Sequence, residues 1–275
     1  MSLFDAFRYD GKRALVVGGA TGMGAAVAEL VKDAGAEVLN ADRAPVTQEG
    51  VTALSVDLAD RASIEALAAE VEGPIDALFS CAGVADGTPG IEKINFLGHR
   101  LLVELLLANG KLGRGSAIGM ISSAAGMGWR TNLEKVQTYL AIADFEEAST
   151  WAKDNAKADY MWSKMAVNGY VAGECMNLLK QGVRINAILP GPTDTPLAQA
   201  NADTWLTFGA DYREETGIAA STPLEQAYPL VVLCSDAAVG ITGVTVFTDA
   251  GYHASGVTGS FETAGLAVGF LEGEF

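Results

Sequence analysis

Apolar residues recur along this chain in two alternating rhythms. Short unbroken runs rich in Val, Ile, Leu and Ala, such as RALVVGG from Arg13 and VRINAILPG from Val183, alternate with longer stretches in which apolar residues return every three or four positions, such as GAAVAELVKDAG from Gly24. The first rhythm predicts strands covered on both faces, and the second predicts amphipathic helices. AEVLNAD, GVTALSVD, PIDALFSCAG, GSAIGMISSAAG and GVTVFTDAG supply further strands, and RASIEALAAEVEG and LGHRLLVELLLANG further helices. Strands separated by helical patterns predict an α/β fold: a doubly wound parallel sheet of about seven strands with helices on both faces. No internal repeat or linker divides the chain, so residues 1–275 are expected to form one dinucleotide-binding and catalytic domain.

Two stretches break the rhythm. A helical insert at about 127–159 carries several large apolar side chains, and an irregular segment at about 193–222 contains Trp205, Phe208 and Tyr212. Both follow strand ends, where open α/β sheets bind ligands. Met127, Trp129, Leu133, Tyr139, Leu140, Ile142, Phe145 and Trp151 of the insert, with the three aromatic residues of the later segment, are candidates for an apolar pocket and lid. Core packing is the alternative for each.

Charge and composition narrow the partners. The formal net charge of -16, without a local Lys/Arg cluster, disfavours nucleic acid. No apolar run reaches the roughly 18 residues that span a bilayer, and the N-terminal stretch lacks the pattern of a secretory signal, so no membrane partner and a cytoplasmic location are expected. Cys81, Cys175 and Cys234 lack metal-ligand spacing and two histidines are too few for a His-based site, so no metal is expected.

The chemistry-bearing pattern begins at VVGGATGMGAAV. Gly18, Gly22 and Gly24 lie between a strand and a helix, where side-chain-free backbone can approach a pyrophosphate at a helix N-terminus. Asp42 stands 18 residues past Gly24 at the end of the second strand, placed to accept hydrogen bonds from ribose hydroxyls and to repel a 2′-phosphate. This favours NAD, while Arg43 beside it keeps NADP as the alternative. Asp57 is placed either to touch the adenine or to cap a helix. In DYMWSKM, Tyr160 and Lys164 share a helix face, so an ammonium lies within reach of a phenol.

Together these motifs resemble the short-chain dehydrogenase/reductase family from about Lys12 to Gly251, which implies a Rossmann fold. Asn95 in KINFLGH, Ser123 in MISSAAG, and Tyr160 with Lys164 match its catalytic residues. The resemblance implies that Asn95 holds a water of a proton relay, Ser123 orients substrate, and Tyr160 acts as general acid/base with Lys164 lowering its pKa. It further implies cofactor contacts from Thr21 and Met23 of the turn, Leu58, Ala82 and Gly83, Tyr160 and Lys164, and Pro190, Gly191, Thr193 and Thr195 of LPGPTDTPL. Cys81 stands where the family commonly has a bracing asparagine. The 37-residue separation of Ser123 from Tyr160 is longer than usual there and is similar to the subgroup of bacterial 3α-hydroxysteroid and coniferyl-alcohol dehydrogenases. The implied activity is NAD-dependent interconversion of a small hydrophobic alcohol and its ketone; a non-catalytic NAD(P)-binding sensor or scaffold is the alternative. A homodimer or homotetramer is expected, with the insert obstructing one of the family's interfaces. The Gly-rich tail after Gly251 either joins a subunit interface or closes over a pocket.

Overall fold

The structure, a computed structural model, describes residues 2–273; Met1, Glu274 and Phe275 of the expected 1–275 unit lie outside the described residues. Seven strands form one sheet: β1 (Arg13–Val17), β2 (Glu37–Asp42), β3 (Thr52–Ser55), β4 (Ala77–Ser80), β5 (Ala117–Ile121), β6 (Arg184–Pro190) and β7 (Thr245–Thr248). All pairings are parallel, in the order β3-β2-β1-β4-β5-β6-β7. The winding reverses between β1 and β4, which opens a crevice beyond their carboxyl ends.

The helices, in chain order, are α1 (Gly22–Asp33), α2 (Arg61–Glu70), α3 (Gly98–Ala108), α4 (Leu133–Leu140), α5 (Phe145–Asp154), α6 (Tyr160–Lys180), α7 (Pro196–Gln199), α8 (Ala202–Trp205), α9 (Ala210–Thr216), α10 (Pro223–Cys234), α11 (Tyr252–Thr258) and α12 (Glu262–Glu272). Strand side chains alternate between the faces. In β1, Ala14 and Val16 therefore join Val27 and Val31 of α1 and Leu230 of α10 on one side. Leu15 and Val17 join α2, α3 and α6 on the other. Burying each Val, Leu or Ile side chain is worth about 1.5–3 kcal/mol, and the unbroken apolar runs follow from this double covering.

Two glycines fix the first turn. Gly18 has φ +88°, and a Cβ there would lie 2.3 Å from the Ala82 nitrogen. A Cβ on Gly24 would meet the Gly18 carbonyl oxygen at 2.0 Å, so α1 starts against the end of β1 only without a side chain.

The insert packs into the core. Tyr139 and Phe145 are buried, and Tyr139 meets Trp151, Phe96 and Trp162 at ring-centroid distances of 5.2, 5.8 and 6.1 Å. The Ser149 hydroxyl donates to the buried Glu92 carboxylate at 2.7 Å. Trp129, Leu140 and Ile142 are partly buried against the same cluster, while Leu133 is exposed. Core packing, the alternative to pocket lining, thus holds for Tyr139 and Phe145: α4 and α5 bury these side chains on α6 and on the segment leading into α3. The tail folds back on its own chain, because Val268 and Leu271 of α12 pack with Ala124 and Met127, and Tyr252 of α11 packs on Phe208 and Tyr212.

Phe145→Ala tests this placement. Urea unfolding should show a loss of about 3–5 kcal/mol with unchanged Michaelis constants; a raised Michaelis constant at wild-type stability would restore the lid.

Candidate active site

A cleft of ≈ 220 Å³ lies at the switch in strand order. Gly18, Thr21, Gly22, Met23 and Gly24 form its turn side; Asp42, Asp57 and Leu58 close it at the ends of β2 and β3; Ala82, Gly83 and Thr195 line the rest. Thr21 is the N-cap of α1, but its side chain accepts no bond from the first turn. The open N–H groups of that turn, beside backbone that tolerates no Cβ, fit the pyrophosphate of a dinucleotide. Asp42 is held in place: one oxygen accepts from the Ala20 N–H at 3.0 Å and the other from the Ala44 N–H at 2.9 Å. Asp57 lines the cleft and accepts from the Ala59 N–H at 2.9 Å in the turn before α2, whose N-cap is Asp60, so the capping alternative for Asp57 is corrected.

The catalytic candidates meet at one end of this cleft. A Cβ on Gly83 would stand 3.5 Å from Asn95 Oδ1 and 3.8 Å from Lys164 Nζ. Asp159 caps α6 by accepting from the Trp162 N–H at 2.7 Å, and Asp86 accepts from the Tyr160 N–H at 2.7 Å. The first turn of the helix is thereby fixed, and with it the phenol. Ser123 starts a 3₁₀ turn (Ala124–Trp129), its hydroxyl accepts from the Ala125 N–H at 3.2 Å, and it lies near enough to the Tyr160 phenol to lower its pKa. Lys164 is buried with Nζ donating to the Ile121 carbonyl at 2.9 Å, 5.5 Å from the Tyr160 ring centroid. On the open side, Trp205 of α8 lies 4.9 Å from Tyr160, centroid to centroid.

Asn95 lies in a π-helical turn (Lys93–Leu97), an irregularity frequent at functional sites. Its Oδ1 accepts from the Val84 N–H at 2.8 Å, and its Nδ2 donates to the Val84 carbonyl at 3.0 Å and to Ser163 Oγ at 3.2 Å. The side chain thus braces the Val84 segment beside the catalytic candidates.

Electrostatics depart from the expectation. Burial raises the Tyr160 pKa and Asp86 adds to the rise, with Ser123 opposing them. Burial also pushes Lys164 down to about 8. Loss of water around each group is the leading cause of both shifts.

Three expected cofactor residues stand apart from the cleft lining. Pro190 ends β6, Gly191 faces a second hollow with Phe208 and Tyr212, and the Thr193 hydroxyl donates to the Gly191 carbonyl. Thr195 caps α7 and reaches the cleft. Sequence reasoning missed Val56, Val84, Ile94, Pro196 and Leu197 on the cleft wall, and Asp86 at Tyr160. Position just after a strand end was the available signal for Val56 and Val84. Among the described residues, no group of three or more His, Cys, Asp or Glu is placed to hold a metal ion, and no helix is long and apolar enough to cross a membrane.

Lys164 titrates lower in the folded chain than its ordinary value of 10.5, so folding releases its proton and stability rises with pH from about 8 upward. Measured by unfolding at about pH 7.5 and about pH 9.5, wild type should gain on the order of 2 kcal/mol relative to Lys164→Met. A difference independent of pH would mean that Lys164 is solvated.

A family model described as short chain dehydrogenase matches residues 12–134, and one described as Enoyl-(Acyl carrier protein) reductase matches residues 107–253. Cis-4-hydroxycyclohexanecarboxylate dehydrogenase of Sinomonas cyclohexanicum is 30% identical over 255 residues, covering 88% of this chain and 96% of that protein. Coniferyl-alcohol dehydrogenase of a Pseudomonas species is 25% identical over 250 residues, covering 87% and 96%. The crystal structure of a 3-alpha-hydroxysteroid dehydrogenase from Pseudomonas sp., complexed with NADH, matches with a TM-score of 0.72 at 28% identity, covering 88% of this chain and 97% of that one. By its sheet, its cleft and these matches, the chain belongs to the short-chain dehydrogenase family, whose members are oxidoreductases.

Proposed function

We propose that this oxidoreductase is an NAD-dependent alcohol dehydrogenase, interconverting a hydrophobic secondary alcohol and its ketone with Tyr160 as general acid/base. The observation that carries the reading is the convergence of Ser123, Tyr160 and Lys164 at one end of the glycine-lined cleft, under Trp205. A nicotinamide cofactor fits the turn and supplies the hydride acceptor. Gly18, Gly22 and Gly24 would hold its pyrophosphate, Asp42 a ribose, and Lys164 the ribose near Tyr160. In the oxidative direction Tyr160 takes the hydroxyl proton of the alcohol, and in reduction it returns a proton to the carbonyl oxygen. Ser123 hydrogen-bonds the same oxygen and sets its distance from the phenol. With Tyr160 raised by burial, the phenol is a ready acid for the reductive direction; its work as a base draws on Lys164 and on the positive charge of oxidised nicotinamide.

Asp42 supports NAD over NADP, because its fixed carboxylate would face a 2′-phosphate across the cleft. Trp205 supports a ring-bearing apolar substrate, since its indole stands over the phenol where the reacting carbon must come. Three relatives are named for ring-bearing substrates, a hydroxycyclohexanecarboxylate, coniferyl alcohol and a 3-alpha-hydroxysteroid, while a further relative is named for the acyclic D-threitol. The cofactor roles of Pro190, Gly191 and Thr193 belong to this proposal and require α7 to α9 to shift as the site fills. The reading extends to a homo-oligomer. Val244 and Val246 at the unpaired edge of β7, with Tyr228 and Val232 of α10, are exposed, while α4 and α5 cover the outer side of α6. Three free cysteines fit a reducing compartment such as the cytoplasm.

The test is cofactor reduction with purified protein, NAD or NADP, and a panel of alicyclic, steroid and aromatic alcohols. Turnover should prefer NAD, and Tyr160→Phe should lose about 10²-fold or more; activity of Tyr160→Phe within a few-fold of wild type would end the assignment. Trp205→Ala should raise the Michaelis constant of ring-bearing alcohols by about tenfold and leave short acyclic alcohols unchanged. Equal effects on both would remove Trp205 from the substrate site.

A further inference from the structure

The residues Ala82–Val84 form the wall between the cleft and the catalytic side chains, and they run over the surface of the sheet without a strand partner on their outer side. The Ala82 N–H is tied to the sheet, donating to the Val17 carbonyl at 2.9 Å. The other polar restraints come from one helix face. Asn95 takes both backbone groups of Val84. One turn later, on the same face, His99 Nε2 lies 3.1 Å from the Ala82 carbonyl oxygen. The carbonyl side of Ala82 is thus held from α3 and its amide side from β1.

His99 is an expensive way to fill its space. It is 2% exposed, and among the described residues its Nδ1 has no hydrogen-bond partner. A buried polar atom left unpaired destabilises the fold, and an apolar side chain of similar volume would avoid that. The Ala82 carbonyl can only accept, so the ring must carry its proton on Nε2. Burial, opposed by the Ala82 bond and reinforced by Lys164, holds the His99 pKa down to about 4, so the imidazole is neutral and this tautomer persists at ordinary pH.

We propose that His99 is a positioning residue of the cofactor site: its Nε2–H fixes the Ala82 carbonyl and thereby sets the wall against which a nicotinamide cofactor lies. Ala82 is the residue on which Gly18 closes, with no room for a Cβ between them, so a shift at Ala82 moves the two sides of the cleft together. The inference rests on the cofactor reading of the cleft given above. It assigns to His99 a role in binding, not in the chemical step.

The experiment is a fluorescence titration of the full chain with NADH and with NADPH, beside thermal unfolding, for wild type and for His99→Leu, His99→Gln and His99→Asn. His99→Leu should weaken NADH binding about tenfold with a melting temperature near that of wild type, because it exchanges the unpaired Nδ1 for an unpaired Ala82 carbonyl. His99→Gln places an amide N–H where Nε2 stands and should restore binding to within about threefold. His99→Asn falls short of Ala82 and should not. Wild-type affinity in His99→Leu, or equal affinities in the Gln and Asn variants, overturns the proposal. If His99→Leu does not fold, the Gln and Asn pair decides. A wild-type chain that binds neither NADH nor NADPH overturns the cofactor reading itself, and this inference with it. Binding by wild type that is insensitive to His99 overturns only the latter.

Discussion

The site depends on the close approach of Gly18 to Ala82. At 2.3 Å from the Ala82 nitrogen there is no room for a Cβ on Gly18, so the turn after β1 and the exit of β4 form one backbone surface. Everything at the site is referred to that surface. α1 starts from it, with first-turn N–H groups free of side-chain caps, and on the far side Gly83 adjoins Asn95 and Lys164. A dinucleotide lying on this surface has its phosphates at a helix N-terminus and its nicotinamide beside the phenol for the same geometric reason. Side chains then only refine a position that the backbone has set.

Burial sets the electrostatics of the chemical end. Removing water from a phenol raises its pKa, and removing water from an ammonium lowers its own. Tyr160 and Lys164 both show this, the lysine reaching about 8. The environment therefore makes the lysine less reluctant to part with its proton and the tyrosine more reluctant. A shared dry site disfavours charge on either group until a further charge enters. The oxidised nicotinamide ring carries such a charge, so a cofactor-bound site and the bare side chains differ in which proton-transfer direction they favour. Asp86, exposed and bonded to the Tyr160 N–H, places one more negative charge on the same scale.

Much of this was legible in the sequence because the signals are local. Each strand announces itself by an apolar run, since both faces of the sheet are covered. The turn and the acid after β2 follow from what backbone and carboxylate can do at a strand end. Ser123, Tyr160 and Lys164 were legible as a spaced set and do converge. The insert was not. Tyr139, Phe145 and Trp151 read equally as pocket and as core, because an apolar helix face says that something covers it and not what. Here Phe96 and Trp162 cover it, and neither lies in the insert. The bracing of Val84 by Asn95 was hidden for a related reason: its partner is a backbone segment whose path no side-chain pattern encodes. Asp86 and His99 were invisible because each acts through a backbone group of a distant segment, Tyr160 N–H and Ala82 C=O.

The placement of the insert changes what must move during a catalytic cycle. With α4 and α5 anchored through Tyr139, Phe145 and the Ser149–Glu92 hydrogen bond, that side of the site is as rigid as the core. Opening therefore falls to α7–α9, where every helix is short and α8 and α9 bury no residue fully. Local stability follows buried apolar contact, so this segment is the first to open. It is not free, however: Phe208 and Tyr212 pack against Tyr252, and Arg213 donates to the Phe208 and Leu206 carbonyls. The segment that carries Trp205 over Tyr160 is thus held as one piece by its own contacts and by α11. Displacing Trp205 from the phenol would therefore carry α8 and α9 together against their contacts with α11.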